Sequence, residues 1–271
     1  MITEIKWLGL QNVVNARELG GYVMPDGRRI RNGMLLRGGS LTKASDEDMA
    51  KLRDIYNVTR LFDFRTGGEV KRSPDKVPDG AQYLWLPTID QETEKVGENC
   101  LPEEAYIHID EYVVTHATDS VVKRIAKRLY WDMVSNEYTQ LQYSAFLQIL
   151  VSMPEGAAYW HCSQGKDRTG LGAAFLLCAL GADRDLIIED FDISNVYYRR
   201  DVEALRLKIL ENGGTEDDFE AVDSFVGASK KNFIDTLVSI DRIYGGLKSY
   251  VRNILMLSES DEKILRDKFL E

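Results

Sequence analysis

The 271-residue chain reads as an α/β fold with a central, mainly parallel sheet flanked by helices, and three observations carry that reading. Ala157-Ala158-Tyr159-Trp160 is a short, wholly apolar run of the kind that makes a buried central strand. A polar, glycine-containing loop, His161 to Gly170, follows it at once, and then a strongly apolar helix, Leu171 to Leu180, ended by Gly181. Further short apolar strands alternate upstream with amphipathic helices, the order expected where ligands bind beyond the carboxyl ends of strands.

The elements follow in chain order. Glycines punctuate residues 1–39, and Met24-Pro25-Asp26-Gly27 makes a turn between Gly21-Tyr22-Val23 and Arg29 to Leu36, a hairpin or pair of short strands. Ser45 followed by Asp48 is a helix start, with Met49, Leu52, Ile55 and Tyr56 on one face and Asn57 as its end. Val58 to Phe64 and Tyr83 to Leu86 are strands, the second stopped by Pro87. The pattern is helical from Pro102 to about Asn136 and again from Tyr143 to Val151, until Pro154-Glu155-Gly156. Beyond Arg184 it is mainly helical, interrupted at Gly213-Gly214 and at Tyr244-Gly245-Gly246. No repeat or linker divides the chain, so residues 1–271 are expected to form one domain, with 185–235 as a helical lid insertion.

Composition narrows the function. Apolar residues make up 44% and charged residues 29%, and the net charge is -10. An acidic chain without a Lys/Arg stripe does not fit nucleic-acid backbone recognition, although a few cations can still focus on a small anion. Three cysteines, Cys100, Cys162 and Cys178, make no disulfide framework and suit a reducing, cytoplasmic setting. The amino terminus lacks the layout of a signal peptide, and no stretch predicts a membrane-spanning helix, so stable membrane insertion is not expected. Cys178 reads as a core residue on an apolar helix, and Cys100 as an ordinary loop cysteine.

The chemistry sits in His161-Cys162-Ser163-Gln164-Gly165-Lys166-Asp167-Arg168-Thr169-Gly170. A cysteine and an arginine six positions apart, between strand and helix, can face one centre. The N–H groups of Ser163, Gln164, Gly165, Lys166, Asp167 and Arg168 then converge on a phosphate at a helix amino terminus. Gly165 permits the tight path, and Arg168 offers a bidentate fork. The same field favours the nucleophilic thiolate of Cys162. Thr169 is placed to donate to the departing sulfur, and His161 to brace the loop. A nucleotide-binding loop is the nearest competitor and fails on spacing, because no Ser/Thr follows Lys166. His108, His116 and His161 form no ligand cluster, and neither metal nor cofactor is required.

This loop resembles the signature of protein tyrosine phosphatases, in the lysine-and-aspartate version of a bacterial tyrosine and dual-specificity branch that includes phosphoinositide-active members. Asn15-Ala16-Arg17-Glu18-Leu19-Gly20-Gly21 and Leu36-Arg37-Gly38-Gly39 are similar to its amino-terminal pattern. Phe62-Asp63-Phe64-Arg65 with Glu69, Ile188-Glu189-Asp190-Phe191 with Ser194-Asn195, and Tyr244-Gly245-Gly246 with Tyr250 resemble its later segments. The resemblance implies a protein tyrosine phosphatase-like fold, Cys162 as nucleophile, Arg168 as phosphate ligand, and Lys166 as a rim cation that broadens substrate choice. It implies phosphotyrosine proteins or peptides as substrates, phosphoinositides as a second class, and inorganic phosphate as product. The alternatives are a phosphoinositide phosphatase as the main activity and a catalytically inert phosphotyrosine-binding module. Its usual tryptophan–proline–aspartate acid loop is absent, so Asp63, at a strand end, leads as general acid, with Asp167 and Asp90 as alternatives. Asp63 has a second reading, in which it orients Arg168. Arg65 and Glu69 are expected to pair with each other in support of the cleft.

Overall fold

The computed structural model describes residues 2, 4–89, 101, 105 and 108–271. Six strands form one sheet: β1 (Lys6–Trp7), β2 (Arg17–Glu18), β3 (Leu35–Gly38), β4 (Val58–Asp63), β5 (Gln82–Trp85) and β6 (Ala157–His161), in the spatial order β1-β2-β3-β6-β4-β5. The pairs β3–β6, β6–β4 and β4–β5 are parallel, whereas β1 and β2 add an antiparallel edge. β6 is therefore interior to the sheet, and all five of its residues are buried, as its apolar run requires. Gly38, Asp63, Trp85 and His161 are laterally aligned at the carboxyl ends of the four parallel strands.

The helices are α1 (Asp46–Ala50), α2 (Gly67–Arg72), α3 (Ile109–Thr115), α4 (Ser120–Ser135), α5 (Glu137–Ser152), α6 (Asp167–Leu180), α7 (Arg184–Glu211), α8 (Glu220–Phe225), α9 (Lys230–Tyr244), α10 (Leu247–Asn253) and α11 (Glu259–Phe269). α1 starts as its sequence predicts, in a capping box between Ser45 and Asp48, and runs on through a π-helical turn, Lys51–Ile55. Asn57, with φ 49°, then reverses the chain into β4. α6 begins four residues earlier than its apolar stretch, at Asp167, and ends where Gly181 takes a left-handed conformation.

The main core joins the sheet to α5, α6 and the first half of α7, with Phe62, Phe64, Phe146, Trp160 and Phe175 fully buried. Gly170 and Gly172 let α6 approach closely, since a β-carbon there would press on the rings of Phe191 and Phe64. A second, smaller core gathers Val113, Val122 and Ile125 with Tyr198, Val202, Leu205 and Val222. The second half of α7 and α8 thus share a core with Leu101, Ala105 and residues from 113–126, and the division between the two cores runs through the middle of α7. Among the described residues, no helix is long and apolar enough to cross a membrane.

Candidate active site

Cys162 lies directly after β6 and is buried, and Arg168 stands on the first turn of α6. The loop between them is held from outside by its carbonyl groups. The Cys162 carbonyl faces His161 Nδ1 at 3.1 Å, and the Ser163 carbonyl accepts from the Ser40 N–H at 3.2 Å. Gln164 accepts from the Tyr198 hydroxyl at 2.8 Å. Gly165 accepts from Asn15 Nδ2 at 2.9 Å and from Arg37 Nη2 at 3.0 Å. Arg168 and Thr169 accept from the Tyr143 hydroxyl at 2.9 Å and Trp160 Nε1 at 3.1 Å. A trans peptide points its N–H opposite its C=O, so carbonyls drawn outward leave amide hydrogens facing the concave side. Gly165 has φ 68°, and a β-carbon there would collide with the Gly38 carbonyl and the Gly39 nitrogen, so no other residue fits this turn.

Arg168 is clasped by Glu69 through two bonds, Nη1 to Oε2 at 2.7 Å and Nη2 to Oε1 at 2.8 Å. The same carboxylate accepts from the Ser163 hydroxyl, from the Thr66 N–H at 2.9 Å and from the Thr66 hydroxyl at 3.0 Å, where it completes the capping box of α2. Burial would raise the Glu69 carboxyl, but Arg168, Ser163 and the Thr66 amide hold it well below the usual carboxylate range. The expected Arg65–Glu69 pair is therefore corrected. Glu69 belongs to Arg168, and Arg65 bridges Asp63, at 2.7 Å, and Asp75.

Asp63 as general acid is also corrected. Its side chain is fully buried and accepts from Arg65 Nε at 2.9 Å and from the Tyr83 hydroxyl at 2.7 Å. Burial opposes its ionisation, yet His161, Arg65 and Tyr83 hold it down to about 2, so it has no proton to give at neutral pH. Nor does it orient Arg168; it orients Arg65. Asp63, Asp75 and His161 bring donor atoms within 4.8 Å of one another. Arg65 bridges the two carboxylates and offsets one of their two charges.

Lys166 is corrected too, from rim to interior. Only 2% of it is exposed, and its Nζ donates to the Phe225 carbonyl at 2.8 Å and to the Gly227 carbonyl. Burial lowers its pKa, and the Asp167 carboxylate, 3.4 Å away, partly offsets that. Asp167 keeps some solvent exposure while accepting from the Tyr130 hydroxyl at 2.7 Å. Thr169 Oγ1 is buried and makes no hydrogen bond among the described residues, including the one expected to sulfur. His161 braces the backbone of Cys162 on one side and meets Asp75 Oδ2 at 3.2 Å on the other. Asp90 and Cys100 lie outside the described residues. Cys178 is half-buried, and burial pushes its thiol up to about 12.

Sequence reasoning missed several participants. Asn15, Arg37 and Asp190 lay inside segments that matched a family pattern, but nothing local in the sequence says that they converge on one loop. Asp75 and Tyr130 carry no pattern of their own.

Residues 8–271 match a family model described as the tyrosine phosphatase family. The chain is 27% identical over 266 residues to a predicted tyrosine-protein phosphatase of Cupriavidus necator, covering 97% of this chain and 88% of that one. It is 27% identical over 243 residues to the triple specificity protein phosphatase PtpB of Mycobacterium tuberculosis, covering 83% and 86%. A tyrosine-protein phosphatase of Nostoc commune is 26% identical over 159 residues, which is 59% of this chain and 46% of that protein.

Proposed function

The chain belongs to the tyrosine phosphatase family, and on that premise we propose that it hydrolyses phosphotyrosine in proteins or peptides through a cysteinyl-phosphate intermediate. The observation that carries this reading is the 162–168 loop. Its carbonyls are engaged outward, its cysteine follows the interior strand, and its arginine is pre-aligned by Glu69.

In the proposed reaction the dianionic phosphoryl group settles among the loop N–H groups and the remaining donors of Arg168. Cys162 Sγ attacks phosphorus in line, and the bond to the phenolic oxygen breaks. The leaving oxygen takes a proton, and water then cleaves the S–P bond to release phosphate. Glu69 does not donate that proton, because Arg168 keeps it ionised. Asp63 is excluded by the same kind of pairing. Asp167 is itself ion-paired, with Lys166 at 3.4 Å, but it stands on the loop and is partly open to solvent, so we assign to it, by position, the protonation of the leaving group and the activation of water. The unengaged Thr169 hydroxyl supports its assignment to the departing sulfur. An unsatisfied buried hydroxyl costs about 1–3 kcal/mol, a cost that a bond to the thiolate leaving group during turnover would offset.

Lys166 was the sequence's argument for polyphosphorylated head groups. With its ammonium turned onto the Phe225 and Gly227 carbonyls, phosphotyrosine is the favoured substrate and phosphoinositides lose that support. The test is kcat/KM on a phosphotyrosine peptide and on dispersed phosphoinositides, with and without a chelator. Preferred turnover of the peptide, unaffected by chelation, is expected. Absence of turnover with retained peptide binding would identify a phosphotyrosine-binding module instead.

A further inference from the structure

Behind the signature loop lies a fully buried charge cluster that does not touch the reacting centre. Arg17, Arg37 and Asp190 are each at most 1% exposed. Arg37 Nη1 donates to Asp190 Oδ2 at 2.6 Å. Arg17 Nη2 donates to the Asp190 carbonyl at 2.9 Å and stands 3.5 Å from Asp190 Oδ1, which also accepts from the Tyr22 hydroxyl at 3.0 Å. Two guanidinium groups thus share one carboxylate. Both Nε atoms lack a hydrogen-bond partner among the described residues. Burying surplus charge and unpaired donors is costly, and a salt bridge needed only for stability would use one arginine.

The surplus is directed at the loop. Arg37 Nη2 donates to the Gly165 carbonyl at 3.0 Å and to the Lys166 carbonyl at 3.3 Å. Asn15 Nδ2 donates to the same Gly165 carbonyl at 2.9 Å, and its own Oδ1 is fixed by Arg17 Nη1 at 2.7 Å. Asn15 holds φ at 54°, a left-handed backbone that asparagine tolerates better than most residues. The Gly165–Lys166 and Lys166–Asp167 peptides are trans, so pulling their carbonyls toward Arg37 turns the Lys166 and Asp167 N–H groups the opposite way, into the loop.

We infer that Arg37, seconded by Asn15, is a positioning residue for oxyanion binding. It sets the Lys166 N–H before substrate arrives and reinforces the Asp167 N–H, whose peptide is also held by the Gly170 N–H on the Lys166 carbonyl at 2.7 Å, and its cluster carries a net positive charge behind them. Without it, part of the substrate's binding energy goes into reorienting those peptides. The inference rests on the reading of the loop as a phosphate cradle, and it concerns a residue outside the loop.

The experiment measures the Kd of inorganic phosphate by calorimetry for the parent, Asn15→Ala and Arg37→Lys, at a temperature far below each melting point. It is paired with kcat and KM for an aryl phosphate. Asn15→Ala removes one bond to the loop, at the Gly165 carbonyl, together with the Asn15 bonds to Ser194 Oγ and Arg17 Nη1, and no charge, so phosphate binding weakens about three- to tenfold through the lost loop bond. Arg37→Lys keeps the charge but cannot span Asp190 and both carbonyls, so it weakens binding tenfold or more. KM and phosphate Kd are expected to rise together. Folded variants with lowered melting points and phosphate Kd within twofold of the parent would reduce Arg37 and Asn15 to structural supports and overturn the inference. A parent that itself bound no phosphate would instead bring down the cradle reading, and this inference with it.

Discussion

Glu69→Gln tests the link between a helix cap and the phosphate-binding arginine. Both oxygens of Glu69 face only donors: Arg168 Nη2 and the Ser163 hydroxyl at Oε1, and Arg168 Nη1, the Thr66 N–H and the Thr66 hydroxyl at Oε2. A glutamine must turn its amide nitrogen toward one of these sets. The less costly choice is Oε1, where the Ser163 hydroxyl can rotate to accept, but Arg168 Nη2 then meets another donor. One charge-assisted bond of about 1.5–3 kcal/mol is lost and the other reverts to a neutral acceptor. The Arg168 and Glu69 side chains keep 12% and 23% exposure, and solvent there relieves part of the loss. The net destabilisation is about 2–3 kcal/mol, which for a chain of this size lowers the melting temperature by roughly 4–6 °C. If some 2 kcal/mol of that alignment is expressed in the transition state, kcat/KM on an aryl phosphate falls about 30-fold. Steady-state kinetics alongside thermal unfolding separate the two effects. A melting temperature that drops while kcat/KM stays within about threefold would refute the coupling and leave Glu69 as a cap for α2 alone.

Cys162→Ser is expected to abolish turnover while retaining phosphate-ester affinity, and phosphoryl transfer to any other residue, seen by mass spectrometry, would displace Cys162 as nucleophile. Asp167→Asn should slow esters with poor leaving groups far more than those with acidic phenols, because only the former need protonation. Asp63→Asn should lower kcat/KM evenly across leaving groups and reduce thermal stability, and a leaving-group-dependent loss would restore it as the acid. Lys166→Ala should speed amide hydrogen exchange in 225–229 without a selective loss on phosphoinositides, and a selective loss would return Lys166 to the substrate. Stability should be flat near neutrality and fall below about pH 4. Glu69, Asp63 and Asp190 all titrate lower in the fold than in the open chain. Their contribution is thus complete above the unfolded values of about 3.9–4.3 and is lost as pH drops toward the folded ones. Melting points that rise on acidification over this range would contradict those pairings.

How much of this was legible in the sequence depended on the range of each interaction. β6 and α6 were readable because a buried strand and a buried helix announce themselves in consecutive apolar residues. The start of α1 was equally plain, because a capping box spans four positions. Cys162 and Arg168 came from the spacing of a single loop. The partners of Arg65 and Glu69 did not, because a short motif, Phe62 to Glu69, invites pairing within itself. The fold instead sends Glu69 across 99 positions to Arg168 and Arg65 to Asp75. Lys166 misled for a similar reason. A cation beside a phosphate loop reads as a ligand until the 225–227 carbonyls, some sixty residues on, arrive beside it.

α7 is 28 residues long, about 42 Å at 1.5 Å per residue, and contains neither glycine nor proline. Its first half is welded into the main core through Leu186, Ile187 and Phe191, and its second half forms a wall of the smaller core through Tyr198, Val202 and Leu205. A rod without a break transmits torque instead of absorbing it, since sharp bends in helices need a local defect. The smaller core therefore cannot swing like a door on α7. Any rotation of it would be delivered to the loop through the Tyr198 hydroxyl on the Gln164 carbonyl, 2.8 Å away. The helix that carries the smaller core also holds the Gln164 carbonyl, so the smaller core and the 162–168 loop are mechanically linked.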